Sequence, residues 1–366
     1  MPHRSPIDAI GSAFERTTMM LFCPFRLKTW LKLGFIGWLA GGIVLANGNF
    51  NSRGGIPQFP HDQFPNDPWA KISSTLNPAH LANFLHTYLH IIVVVLALVA
   101  VISLVFLYLF CRFRFILFDV VVSGQPVIGR GWNRYASQAN RYFGFWFAYA
   151  LVNLATMVLI IGMPIWHAYK SGALSGDNPF LAFFEVLGTI ALGVILATIV
   201  FSIVSTLAKD FILPLMALDD LPLSDAWSQL WRVISSEPGA WAGYLGMKLL
   251  LAIGASIGFA VVFVFAMLAF LLLLAIPAGL LIFLGVVAMK AAGAVAGIIV
   301  FVITALLVVA AFFCLFMVLT APISVFFAAY AFYFFAGRYP KLEALLWPQP
   351  TPPTVSPQVV GVAPGV

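Results

Sequence analysis

Six apolar stretches, at about 30–47, 87–111, 143–167, 181–207, 240–276 and 291–320, dominate this chain of 366 residues. A bilayer core is crossed by roughly 20 helical residues, and five of the six stretches are long enough or longer. Backbone polar groups in lipid must be satisfied within a segment, which leaves helices as the spanning elements here. The rest of the sequence agrees with this. Only 9% of residues are charged and 62% are apolar, against about 25% and 45–50% for a soluble domain. A soluble enzyme, a disordered chain and a coiled coil are excluded. The expected fold is all-α, a polytopic bundle of about six spans.

The window 249–336 holds one formal charge, Lys290, and could be cut differently. Turning the chain at Pro277 and at Pro322 would give eight spans. The run from Leu33 to Ala46 has the length of a signal-peptide core, but the polar, patterned segment ahead of it argues for a retained first span.

Orientation follows from the cations. With the N-terminus inside, 15 of the 19 Lys and Arg fall on inner segments, and Arg53, Lys71, Lys170 and Lys290 fall outside. Both termini are therefore expected in the cytoplasm, with the chain in a bacterial inner membrane. The net charge of +6 is this flanking excess rather than a basic cluster, so no nucleic-acid partner is expected.

An internal repeat organises the chain. Phe115-Ile116-Leu117 recurs as Phe211-Ile212-Leu213, and Pro126 as Pro222. Trp132 recurs as Trp227, Gly144-x-Trp146 as Gly239-x-Trp241, and Tyr149 as Tyr244. Pro6-Ile7 opens a weaker N-terminal copy. Each opener leads a stretch with helical periodicity. The first carries Ile7, Ile10, Phe14 and Leu21; Ser5 and Asp8 form a capping-box pattern at its start. The second carries Ile128, Trp132, Tyr135, Ala139 and Tyr142. The third carries Leu223, Trp227, Leu230 and Ile234. Opposite the aromatic face of the second lie Arg130, Asn133, Arg134, Ser137, Gln138 and Arg141, as in a helix lying in the membrane interface.

The expected unit is one interfacial amphipathic helix plus two spans, at about 5–112, 113–208 and 209–321. A terminal hydrophobic helix at 322–337 completes an integral membrane domain over 1–345. The Pro-rich residues 346–366 read as a disordered cytoplasmic tail. Arg130, Arg134, Arg141, Trp132 and Trp227 are the candidate membrane-surface contacts. Membrane lipids, including anionic head groups, are the expected partners, beside a protein partner of unknown kind.

Reactive constellations are scarce. Cys23, Cys111 and Cys314 are far apart and form no metal or disulfide pattern. His80, His86 and His90 cluster on the outer side, with Asp62 and Asp67 nearby in sequence. His86 and His90 have metal-ligand spacing on a helix, but they are weak candidates, and no metal, cofactor or catalytic residue is assigned. Asn153, Thr156, Thr198, Ser202, Ser205 and Thr304 read as interhelical contacts. Lys209 and Asp210 fall just past a span, and Lys248 is placed to snorkel from the next. Gly34, Gly37 and Gly41 suggest a close helix-packing face, and Trp30 an interfacial anchor.

Three patterns carry a resemblance: Ala13-Phe14-Glu15-Arg16…Pro24-Phe25-Arg26, Arg112-Phe113-Arg114-Phe115, and Pro322-Ile323-Ser324-Val325-Phe326-Phe327…Tyr330. Over about 5–345 the chain resembles the membrane domain of glycerophosphoryl diester phosphodiesterase and its stand-alone relatives. The resemblance implies a membrane architecture. It carries over no catalytic residue, because the chemistry of the fused relatives resides in a separate barrel. The favoured expectation is a non-enzymatic membrane protein that scaffolds a partner or organises lipid. The alternatives are a permease for a small amphiphile and a lipid-modifying enzyme.

Overall fold

The computed structural model describes residues 5–23, 25–41, 78–172 and 179–347. Residues 42–77 lie outside the described residues, and so does nearly all of the Pro-rich tail. His80, His86, Asp62 and Asp67 fall outside the described side chains.

The described chain is helical, with no strand. The order is α1 (Asp8–Phe22), α2 (Leu27–Leu39), α3 (Pro78–Ser123), α4 (Ile128–Arg134), α5 (Ala136–Lys170) and α6 (Pro179–Leu207). A π-helical turn, Ala208–Ile212, joins α6 to α7 (Leu213–Asp219). Then come α8 (Leu223–Ser236), α9 (Pro238–Ala292), α10 (Ala294–Ala336) and α11 (Pro340–Leu346). Five helical segments among the described residues are long and apolar enough to cross a membrane: Tyr88–Ser123, Ala136–Lys170, Phe180–Asp219, Pro238–Ala292 and Ala294–Ala336. The stretch expected as the first span forms α2 up to Leu39, and its remainder from 42 lies outside the described residues.

The two prolines of the eight-span alternative do not turn the chain. Pro277 lies inside α9 and Pro322 inside α10. The reversal falls at Gly293, whose φ of +89° suits glycine alone. Proline removes one donor and crowds one carbonyl, which a helix with neighbours absorbs in an apolar setting. The helix expected at 322–337 is the C-terminal part of α10, and its residues 328–336 are buried without a break.

Burial is concentrated at one end, here called the base. The ends of α3, α6, α9 and α10 meet there with α1, α4, α7, α8 and α11. Beyond the base the shafts expose large apolar side chains, such as Val94, Leu196 and Leu273. In water this would be ruinous; in lipid it costs nothing.

Local chemistry explains how the base closes. The Asp8 amide donates to Ser5 Oγ at 3.2 Å while the Ser5 amide donates to the Asp8 carboxylate at 2.9 Å, the reciprocal cap read from the sequence. α1 turns its small residues Ala9 and Ala13 inward and leaves Ile7 and Phe14 exposed. Phe14 faces outward while Met20 and Leu21 near the helix end are buried, and α1 lies close against α10. Arg16 donates to the carbonyls of Val121 and Val122 at 2.8 Å each, which satisfies free acceptors at the end of α3.

Trp30, expected as an interfacial anchor, is instead buried, and its indole N–H donates to the Leu21 carbonyl at 2.7 Å. α2 packs on α10 through Gly34 and Gly37. A Cβ on Gly34 would stand 2.0 Å from the Met317 carbonyl oxygen, and one on Gly37 would stand 2.4 Å from Ser324 Cβ.

Candidate functional site: a cationic cavity at the base

The π-turn places Lys209 and Asp210 side by side at the end of α6, and both are buried. A π-turn shifts the carbonyl ladder and leaves an acceptor short of its partner. Here the Tyr142 hydroxyl donates to the Ala208 carbonyl at 3.2 Å.

Asp210 is held from α9. The Tyr244 hydroxyl donates to its carboxylate at 2.8 Å, and Lys248, one helical turn on, forms an ion pair with the same oxygen. Tyr244 is fixed by stacking on Tyr330, ring centroids 5.3 Å apart, and on Phe334 at 4.5 Å. Lys209 lies over the Trp146 ring at 5.4 Å. Arg114 of α3 completes the group. It is 9% exposed, its guanidinium lies 5.7 Å from the centre of the Phe110 ring, and its Nε has no hydrogen-bond partner. An arginine stays charged in any protein environment, and burial without an anion is costly.

These groups close one end of a cavity of about 720 Å³ between α6, α9 and α10. Arg114, Lys209, Asp210 and Lys248 line it together with Thr198, Ser202, Thr206, Ser256 and Ser324. Its walls are apolar. Two of them, Ile199 and Leu249, are also more than half exposed on the lipid-facing shafts. The cavity therefore joins a charged floor to the surface that faces acyl chains, a shape suited to an amphiphile.

This site was only partly legible. Lys209, Asp210 and Lys248 read as charges flanking spans, with Lys248 reaching for the interface; in the fold Lys248 turns to Asp210. Arg114 read as one more inner cation. Thr198 and Ser202 line the cavity. Thr156, Ser205 and Thr304 bond back to carbonyls of their own helices.

The candidate surface residues have partners within the chain. Arg130 donates to the Asp119 carboxylate at 3.0 Å and to Ser123 Oγ at 2.7 Å. Arg134 lies 3.9 Å from the other Asp119 oxygen and remains 62% exposed. Arg141 pairs with Asp220 at 2.7 Å. The Trp132 carbonyl accepts from Arg112, whose guanidinium lies over the Trp132 ring at 5.0 Å. Trp227 packs on Phe145. His90 is exposed on α3, and no group of three metal-ligating side chains forms among the described residues.

Apolar helices long enough to span and a buried core confined to one end define a multi-pass helical membrane protein. The chain belongs to a family of unknown function, DUF7544, whose model matches residues 4–345. No curated protein and no solved structure matches it. The family match brings no link to glycerophosphoryl diester phosphodiesterase.

Proposed function

We propose that this is a non-enzymatic protein of the bacterial inner membrane, with both termini cytoplasmic, that holds an amphiphile in the basal cavity and so organises lipid at the inner face. The observation that carries this reading is the cavity itself, with its charged floor and walls continuous with the lipid-facing shafts. On this reading α4, α8 and the start of α5 lie in the interface, and exposed Arg134 meets anionic head groups by a generic attraction of about 1 kcal/mol.

The chain is built from three copies of an interfacial helix and two spans, making six. Support comes from Gly124 and Asp220, which have φ of +72° and +49° and stand two residues ahead of the openers Pro126 and Pro222. Asp220 is the one non-glycine residue with positive φ among the described residues. A shared left-handed residue at matching positions is a costly detail for unrelated turns to hold in common.

The test is purification in a mild neutral detergent followed by lipid mass spectrometry. The protein should retain one class of amphiphile in near-stoichiometric amount. Lipid-free protein, with membrane composition unchanged on gene deletion, would overturn the reading.

Thr198 and Ser202, polar residues within a span that line the cavity, favour a second reading, a permease for a small amphiphile. Cysteines placed at Thr198 and Ser256 should then label from either side of the membrane. Labelling from neither side removes that reading.

A further inference from the structure

The closed end of the cavity holds a buried guanidinium, that of Arg114, which forms no ion pair with a carboxylate among the described residues. Arg114, Lys209 and Lys248 face it, and Asp210 is the one carboxylate lining it. Asp210 is already engaged by Tyr244 and Lys248. Arg114 is more than nine-tenths buried, and its contact is a phenyl ring rather than an anion. A guanidinium donates in a planar fork that matches the oxygens of a phosphate or carboxylate. A carboxylate would spend both its oxygens on this fork, whereas a phosphate leaves further oxygens for the neighbouring donors.

We propose that the floor of this cavity binds the phosphate head group of a membrane amphiphile, with Arg114 as its principal contact and Lys209 and Lys248 beside it. The inference rests on the amphiphile-holding role proposed above and assigns it a head-group chemistry and a residue. Ser202 and Thr206 line the same space, and their hydroxyls can donate to further phosphate oxygens. The tail leaves past Ile199 and Leu249 into lipid. A cavity of about 720 Å³ accommodates a head group with the first part of its chain, within the usual range for small-ligand sites.

The test uses the full-length protein in neutral detergent, with binding read by native mass spectrometry and by the shift in melting temperature. The probes are lysophosphatidic acid, lysophosphatidylcholine and inorganic phosphate. The variants are Arg114→Gln, Arg114→Lys and, as a control, Arg232→Gln, which removes a charge from the exposed face of α8.

Lysophosphatidic acid should bind and raise the melting temperature of the unaltered protein. Arg114→Gln should weaken it about tenfold or more. Arg114→Lys keeps the charge but loses the fork, and should fall between. Arg232→Gln should bind as the unaltered protein does.

Equal binding of lysophosphatidylcholine would overturn head-group selection. Equal stabilisation by inorganic phosphate would make this a site for the free anion and overturn the amphiphile. Undiminished binding by both Arg114 variants would overturn the assignment of the site while leaving the amphiphile-holding role intact. Failure to retain any amphiphile would remove both. If Arg114→Gln does not fold, the Arg114→Lys result and the probe comparison on the unaltered protein decide.

Discussion

Tyr244 donates its hydroxyl hydrogen to Asp210 across 2.8 Å, and Lys248, one turn further along α9, engages the same carboxylate oxygen. Two successive turns of one helix thus fasten the π-turn of another. Removing the carboxylate leaves a buried cation without its counter-ion. Asp210→Ala should destabilise the protein by about 3–5 kcal/mol. Tyr244→Phe, which keeps the ring in its stack, should cost only about 1 kcal/mol. Thermal unfolding in detergent reads both, and a larger loss for Tyr244→Phe than for Asp210→Ala would contradict this account.

The approach of α2 to α10 leaves no room at Gly34, where a Cβ would meet the Met317 backbone. Gly34→Leu should prevent the close packing and lower the yield of folded protein, with a cost above about 3 kcal/mol. Gly11 in α1 has nothing within 4 Å of an added Cβ. There Gly11→Ala should stabilise by about 0.5–1 kcal/mol, through helix propensity. The opposite signs, read by melting temperature, separate steric contact from backbone entropy.

Arg16→Gln should release the end of α3. The side chain supplies hydrogen bonds to Val121 and Val122 carbonyls, and charged donors of this kind contribute about 1.5–3 kcal/mol. Hydrogen exchange should rise at the α3–α4 junction and stay unchanged at Gly293. Uniform protection in the variant would refute the capping role.

Tyr339 gives the base a dependence on alkaline pH. Burial, and the donation of its hydroxyl to Asp219 at 2.5 Å, hold its phenol above the usual range. The folded state keeps this proton after the unfolded chain loses it near pH 10. Its contribution is therefore complete below about pH 10 and declines as the pH rises further. Tyr339→Phe should flatten that part of the decline in melting temperature above pH 10. A decline of unchanged slope would show that other groups carry it.

The sequence told most where a pattern is local. The spacing of Ile128, Trp132, Tyr135, Ala139 and Tyr142 names an inward face, and in the structure Tyr135, Ala139 and Tyr142 are buried while Arg130, Arg134 and Arg141 are exposed. Small residues at Gly34 and Gly37 announced a close contact. Reading failed where the deciding partner is distant. Nothing near Lys248 reveals Asp210, so a snorkelling lysine was the natural expectation. Trp30 resembles an interfacial anchor until α1 folds back and offers the Leu21 carbonyl. The apolar residues of α1 suggested one buried face. Leu21 buries as that face requires and Ile10 packs on the core, but Ile7 and Phe14 are exposed while Ala9 and Ala13 are buried. A turn at Pro277 belonged only to the eight-span alternative; in the structure the reversal falls at Gly293, the residue able to adopt positive φ.

The long reach of the contacts made by α1 and α2 sets an order of assembly. Gly34 fits against Met317, and α1 lies along the same helix. During synthesis the first two helices are complete long before α10 exists, so the faces they present to α10 wait without that partner while the intervening segments insert. Contacts so distant in sequence form late and slowly. The part of the base that α10 completes therefore closes after the rest of it can form. Until it does, the charged floor of the cavity stays apart, with Arg114 and the Lys209–Asp210 turn already made but Ser324 still to come.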